Sequence, residues 1–313
     1  MSLNAIVYLG VDVAKSTLQF HGPCARSTTE LPNHPQQLLP LLRTLRARYP
    51  SLHLVCEATG GYERRLLLSA HALGLPCSVV DPWRVRCFAK SQGRLEKTDA
   101  IDAAVLCAFG QSAKPAPTAV HDTAQQTLRQ WVQLREHYTE RLSQEQTFLA
   151  TLPGSAQQRI VRAECLRLER LLEKLDAQIQ AFLEAEAPAL HDRVQTLCLV
   201  SGVAWRSATA LLAHLPELGQ CNQRQIAKLA GIAPLADDSG PRSGPRHIAR
   251  GRAPARRVLY LIALVAARFN EHSRVFYQRL RLAGKPPKVA LIALARKLLV
   301  FFNSLLKPAF SSA

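Results

Sequence analysis

"AIVYLGVDV", residues 5–13, is apolar and rich in β-branched side chains, and it reaches an acid, Asp12, just before it ends. Such a run reads as a buried strand, and an acid near its exit is costly to bury without a partner. The flanking segments extend the pattern. "STLQFHG" (16–22) reads as a second strand and a third is expected near 27–31, the three forming a meander. "HPQQLLPLLRTLRARY" (34–49) has helical spacing, and "LHLVCEAT" (52–59) is a further strand with Glu57 near its end. "GYERRLLLSAHALG" (61–74) is a helix closed by Gly74, and "PCSVVDP" (76–82) a fifth strand stopped by Pro82.

With a helix at "KTDAIDAAVL" (97–106), the order is β-β-β-α-β-α-β-α, that of an α/β, ribonuclease-H-like domain. The stretch "QSAKPAPTAVHD" (111–122) breaks the pattern, so this first domain is expected to span residues 1–118. Residues 119–189 read as a helical coiled-coil hairpin. Val161, Cys165, Leu168, Leu172, Leu175, Ile179 and Phe182 alternate steps of four and three, and "LPGS" (152–155) separates them from a helix bearing Leu128, Trp131, Leu134, Tyr138 and Leu142. Such a hairpin is an arm for dimerisation or for gripping a partner, or else two helices packed on their own domain. Residues 190–313 form a third, mostly α-helical unit. It opens with two helices joined at Ser201–Gly202–Val203, either a helix-hairpin-helix-like phosphate contact or a plain packing unit, and carries helical patterns at 256–269 and 288–302.

Charge narrows the partners. Forty Lys and Arg against twenty-three Asp and Glu give a formal net charge of +17. From Gly240 to Ala313 there are fifteen basic residues and one acid, Glu271. A field of that strength repels a copy of itself unless a polyanion neutralises it, which makes nucleic acid the leading partner and a plain basic surface or anionic lipid the alternatives. The apolar stretches near 258–267 and 289–302 are too short or too interrupted to span a bilayer, and residues 1–15 do not resemble a signal peptide. Eight cysteines without a C-x-x-C pair argue against a zinc site and a disulfide framework, and for a reducing cytosol.

Within this basic chain the acids form a pattern. Asp99 and Asp102, three apart on a helix, share a face. In the fold as read, Asp12 and Glu57 end neighbouring strands with that helix across them. Four carboxylates so placed repel one another unless a cation sits among them, and Mg²⁺, hard and oxygen-seeking, is the natural choice. Two such ions about 4 Å apart stabilise the attacking and leaving oxygens of a phosphodiester displacement. Taken singly, Asp99 also fits a helix cap and Asp102 a pairing with Lys97, while Asp81 reads as an Asp-Pro turn and Glu63 as a surface acid in the first turn of its helix.

The Gly-, Pro- and Arg-rich stretch 229–257 has no regular period and reads as a loop near nucleic acid. It offers Ser239 and Ser243 as hydroxyl nucleophiles, with Arg242, Arg246 and Arg250 able to neutralise developing charge. Nucleic-acid contacts are expected from Arg84, Arg86, Lys90 and Arg94 beside the acids, and from Arg242, Arg246, Arg250, Arg252, Arg256 and Arg257 in the tail.

The segments "VYLGVDVAKSTLQF", "VCEATGGYERRLLL", "VVDPWRVRCFAKSQGRLEKTDAIDAAVLCAF" and "KLAGIAPLADDSGPRSG" resemble the DEDD transposases of the insertion-sequence-one-ten family, relatives of the Piv invertases. The resemblance covers nearly the whole chain and implies a C-terminal transposase domain. It places the DEDD acids on Asp12, Glu57, Asp99 and Asp102 and the serine nucleophile on Ser239, whose "S-G-x-x-x-G" pattern is met by Gly240 and Gly244. It implies a bacterial cytoplasmic recombinase, associated with the nucleoid while it acts, that works through a covalent phosphoserine link with Mg²⁺, for which Mn²⁺ substitutes, at the acids. It further implies a structured bridge RNA pairing with donor and target double-stranded DNA, and dimers assembling into a tetramer with composite sites. Pro241 and "RGRAPARR" (250–257) depart from the family pattern. A structure-selective endonuclease like a Holliday junction resolvase, needing the acids and no serine, is the rival on the same fold; a non-catalytic binder is a third class.

Overall fold

The computed structural model describes residues 6–22, 25–93, 99–120, 122–235, 238–239, 242–243 and 247–307. For 25–29, 99–101, 235, 238–239 and 242–243 the backbone alone is described. The chain divides into two compact units, Met1–Val120 and His121–Ala313.

The first unit is a mixed α/β layer structure. Strands β1 (Val7–Val13), β2 (Thr17–Gly22) and β3 (Ala25–Pro32) form an antiparallel meander. Helix α1 (Pro35–Arg48) then returns the chain, so that β4 (Leu52–Glu57) pairs parallel to β1 and, after α2 (Arg64–Ala72), β5 (Cys77–Val80) pairs parallel to β4. The strand order is β3-β2-β1-β4-β5, consistent with the ribonuclease-H-like expectation. Helices α3 (Pro82–Ser91) and α4 (Asp99–Ala113) complete the unit. β1 is apolar up to Asp12 because both faces of the sheet are covered. Leu9, Val11, Leu54 and Cys56 meet Leu38 and Leu42 of α1 and Leu66 and Ala70 of α2, while Tyr8, Val55 and Val80 meet Val85 of α3 and Val105, Leu106 and Phe109 of α4.

The outer edge of β5 is closed by the chain itself. Thr118 donates its N–H to the Cys77 carbonyl (2.8 Å) and its hydroxyl accepts from the Val79 N–H (2.9 Å). The Ser78 hydroxyl donates to the Ala116 carbonyl (2.8 Å), so the buried His53, 2.8 Å from that hydroxyl through Nε2, is the donor of its pair. Burial lowers the His53 pKa by disfavouring the charged ring.

The second unit is mostly helical. α5 (Thr123–Thr151) and α6 (Ser155–Glu186) form an antiparallel hairpin turning at Leu152–Gly154; α5 alone is about 45 Å long. The seven seam residues expected on α6 are all buried. On α5 the seam departs from expectation: Leu128 and Val132 are buried and Leu134 is exposed. Two successive steps of three rotate a side chain about 120° away from the seam, whereas a step of four followed by three returns to it.

The base of the hairpin, through Leu128, Val132, Ile179, Phe182 and Leu183, shares one core with the helices that follow. Those are α7 (Pro188–Cys198), α8 (Trp205–His214) and α9 (Gln223–Leu229), then α10 (Ala253–Phe269), α11 (Glu271–Leu282) and α12 (Pro287–Leu305). Asp176, 14% exposed, accepts from Arg135 of α5 and Arg206 of α8, and His214 of α8 lies 2.8 Å from Glu136 of α5. The α7–α8 turn seats Gly202 (φ +94°) against α10, where a Cβ would come within 3.0 Å of the Ala266 Cα, a packing role for this glycine. No helix among the described residues is long and apolar enough to cross a membrane. The seven described cysteines are free thiols.

Candidate active site

β1 and β4 run side by side with Gly10 opposite Val55 and Val11 opposite Cys56. The next residue on each strand is an acid, Asp12 on β1 and Glu57 on β4. Strand side chains alternate between faces, and Tyr8 and Val55 belong to the core under α3 and α4. Asp12, four residues after Tyr8, and Glu57, two after Val55, therefore project to that same face at the carboxyl edge of the sheet. Both are half-buried.

Helix α4 brings the other two acids to this edge because glycine lets it sit on β1. A Cβ at Gly10 would lie 2.1 Å from the Ala103 carbonyl oxygen and 2.4 Å from the Cys107 nitrogen, so glycine alone fits here. The Cys107 thiol donates to the Tyr8 carbonyl at 3.2 Å. Contacts run from Cys107 at Tyr8 to Ala103 at Gly10, so α4 is antiparallel to β1. One turn of helix rises about 5.4 Å and two strand residues about 6.6 Å, so the next step along both elements sets Asp12 against the first turn of α4. Asp99 and Asp102 occupy that turn, and Asp102 is half-buried. The side chain of Asp99 lies outside the described residues.

Two loops at this edge are braced. The buried Asn33 donates through Nδ2 to the Ala14 carbonyl (3.0 Å), two residues past Asp12, and to the Tyr62 carbonyl (3.2 Å) in the loop after Glu57. Its Oδ1 has no partner among the described residues. Glu63 turns back into its own loop, where one carboxylate oxygen accepts from the Thr59 N–H (3.1 Å), the Thr59 hydroxyl (3.1 Å) and the Gly61 N–H (2.8 Å). Glu63 is thus the organiser of the β4–α2 loop. Asn33 gave no pattern in the sequence; the available signal for Gly10 was a glycine inside an otherwise β-branched strand.

Among the described residues no three His, Cys, Asp or Glu stand close enough to hold a metal ion. The donor set at this edge is nonetheless all carboxylate oxygen, drawn from two strand ends and one helical turn, and it suits a hard divalent cation.

Of the basic residues expected beside the acids, Arg84, Arg86 and Lys90 lie on α3, whose first turn Asp81 caps by accepting from the Trp83 N–H at 2.8 Å. Arg84, Arg86 and Lys90 are exposed, and the Arg84 guanidinium lies 5.5 Å from the centre of the Phe109 ring. Arg94 falls outside the described residues.

In the second unit, the stretch expected to be a loop forms two short antiparallel ladders. The outer one pairs β6 (Pro234–Leu235) with β9 (His247–Ile248), and the inner one pairs β7 (Asp238–Ser239) with β8 (Arg242–Ser243). Two-residue ladders leave no alternating pattern to read, which is why the sequence looked aperiodic. Ser239 ends β7, directly opposite Arg242. At the base of the ladders Gly231 and Gly251 pack back to back, with a Cβ on Gly251 (φ +68°) falling 2.3 Å from the Gly231 nitrogen.

The arginines of this region divide. Arg252 forms a bidentate pair with Glu217 (2.6 and 2.7 Å) and donates to the His214 carbonyl; Arg256 donates to the Arg250 carbonyl at 2.6 Å. Both brace the ladder base. Arg250 and Arg257 are exposed, and Arg257 pairs with the exposed Glu140 at 2.8 Å, a contact contributing little in water. Arg246 lies outside the described residues.

Two protein-family models and several known proteins match this chain. Residues 9–153 match the DEDD transposase model of IS110, and residues 194–278 match the transposase model of the IS116/IS110/IS902 family. The chain is 26% identical over 311 residues to the pilin gene-inverting protein of Moraxella bovis, covering 96% of this chain and 95% of that one. It is 26% identical over 313 residues to the protein of the same name in Moraxella lacunata, with the same coverage. Over 125 residues, 39% of this chain and 30% of the relative, it is 33% identical to a 43.6 kDa protein of insertion element IS110 in Streptomyces coelicolor.

Proposed function

The chain belongs to the IS110 family of DEDD transposases, enzymes that cut and transfer DNA strands, and from that premise we propose that it is an RNA-guided recombinase using both an acid edge and a serine. The observation that carries the reading is the convergence of Asp12, Glu57 and the first turn of α4 on one face of one sheet edge. In this reading Asp12, Glu57, Asp99 and Asp102 hold Mg²⁺, in a ribonuclease-H-like (RuvC-like) domain over 1–118. When bound, the metal supplies charge stabilisation to the attacking and leaving oxygens of the phosphodiester. Ser239 Oγ forms a new P–O bond as a sugar oxygen leaves with a proton, conserving the phosphodiester energy in a phosphoserine link that a second DNA end reopens.

The hairpin over 119–189 and the domain over 190–313 then serve assembly and nucleic-acid grip. A structured bridge RNA selects donor and target DNA by pairing, the basic stretch beyond Gly240 supplies phosphate contacts, and dimers join as a tetramer whose sites combine acids and serine from different subunits.

The test is a denaturing gel. Protein purified with RNA from its element's flank, mixed with Mg²⁺ and donor and target DNA, is expected to give a covalent protein–DNA adduct that Ser239→Ala abolishes. Mixing Asp102→Asn with Ser239→Ala protomers is expected to restore part of the activity if sites are composite. Cleavage with no adduct in either protein would sink the serine step and leave a metal-dependent nuclease of the resolvase kind.

A further inference from the structure

The acids of the carboxyl edge belong to a row that crosses the sheet. The register sets Gln19 of β2 opposite both Asp12 of β1 and Glu30 of β3, and Asp12 stands beside Glu57 of β4 by the next step of the β1–β4 pairing. Residues directly opposite one another in a sheet share a face, with Cβ atoms about 4.5–5.5 Å apart. Leu18 and Phe20, on either side of Gln19, belong to the core under α1 and α2, so Gln19 projects to the other face, that of Asp12 and Glu57. α4 packs on β2 as well as on β1, and its direction brings its first turn to this row.

Gln19 is the neutral member of that row, and its hydrogen bonding is incomplete. Its Oε1 is buried and has no partner among the described residues. The first unit holds one other such oxygen among the described residues, Asn33 Oδ1, on the residue that braces the Ala14 and Tyr62 loops at the same edge. A buried amide oxygen without a donor costs free energy, and it calls for one that arrives with an ion, a water or a ligand. The neighbours of Gln19 in the row cannot serve, since ionised carboxylates accept and do not donate. A divalent cation brings donors of its own, because a small hard ion gives up its waters reluctantly and turns their hydrogens outward. An amide supplies the acceptor without setting a further negative charge between Asp12 and Glu30.

Resting on the metal site proposed above, we infer that Gln19 is a positioning residue of the acid edge, its side-chain oxygen accepting from the hydration shell of the divalent cation held beside Asp12. That role gives an amide, rather than an aliphatic chain, a reason to stand half-buried between Leu18 and Phe20. Gln19 acts through the ion: it fixes one point of the shell, and the carboxylates fix the rest.

The experiment uses the full chain without nucleic acid and takes Mn²⁺ as the probe. Free Mn²⁺ is read by electron paramagnetic resonance, and the melting temperature is followed in chelator. Gln19→Ala and Gln19→Met are each expected to weaken Mn²⁺ binding about tenfold, the usual cost of losing an outer-shell partner. Gln19→Glu, which keeps the oxygen, is expected to bind at least as tightly as wild type. In chelator Gln19→Met is expected to melt no lower than wild type, since it fills the same space and removes the unpaired oxygen. Affinity within about twofold of wild type in both Gln19→Ala and Gln19→Met overturns the inference. So does a fall in the metal-free melting temperature of Gln19→Met, which would make the role one of packing. Weaker binding by Gln19→Glu overturns it too, because the amide N–H would then be the working group. Asp12→Asn tells the two readings apart: Mn²⁺ binding that survives it defeats the acid edge as a metal site, whereas binding lost there and kept in the Gln19 variants sinks the present inference alone.

Discussion

The acid edge of the first unit and the serine ladders of the second are built to different standards. Asp12, Glu57 and Asp102 stand on three regular elements, locked by a parallel register and by a glycine that admits one helix position. Ser239 stands on a two-residue ladder nested in another of the same length, held at its base by the Arg252–Glu217 and Arg256–Arg250 contacts. Metal ligands must be placed to a fraction of an ångström to act together, whereas a nucleophile that has to reach different phosphates gains from a mount at the end of a short arm. The difference teaches that, in the proposed chemistry, geometry belongs to the first unit and reach to the second.

The largest effect expected is on the acids. Asp12→Asn or Glu57→Gln should lower strand cleavage about a thousandfold, since metal-assisted charge stabilisation amounts to several kcal/mol. Residual cleavage within tenfold of wild type would break the contrast at its root. Gly10→Ala attacks placement rather than chemistry. Its methyl group would collide with the backbone of α4, costing about 3 kcal/mol in overpacking and most of the cleavage, read by chemical unfolding and the same gel assay.

Asn33→Ala is a finer probe of the edge. It strips the shared donor from the Ala14 and Tyr62 carbonyls and should lower cleavage about tenfold at unchanged duplex affinity, with about 1–3 kcal/mol lost in stability. On the other side of the comparison, Arg252→Ala should cost about 1 kcal/mol, the half-exposed pair being screened by water. Adduct yield should fall severalfold while binding to a single strand is untouched.

The smallest effect is one of pH. Burial depresses the His53 pKa from 6.5, so the folded chain binds fewer protons here than the unfolded one just below that value. This contribution to stability is complete above pH 6.5 and drains as the pH falls through it toward the lowered folded value. Melting followed from neutral to acid pH should fall less steeply in His53→Gln than in wild type.

Most of the first unit was legible because its elements are long enough to show a period. The strand ending at Asp12, the strand ending at Glu57 and the order of helices between them follow from runs of apolar residues and their breaks. Helix α3 was missed because Asp81-Pro82 reads equally as a turn or as a cap with proline at the first helical position. Helices α9 and α11 were missed for lack of a strong apolar stripe; of α11 only Ser273 is buried. In the site, the acids were visible as costly residues in apolar surroundings. Asn33, Tyr62 and Glu63 were not, because their roles arise from backbone carbonyls and turns that only the folded chain brings together.

The closing of β5 by residues 115–118 bears on how the protein is made. A nascent chain that has released β5 but not Thr118 carries an open, apolar strand edge able to pair with a neighbour on the same polysome. At about 5–20 residues per second, the roughly forty residues between Cys77 and Thr118 take several seconds to emerge, and α4 emerges within that interval. Once Thr118 has emerged, the first unit has all its strands, both helical layers and a capped edge. It can fold before the long hairpin behind it has been synthesised.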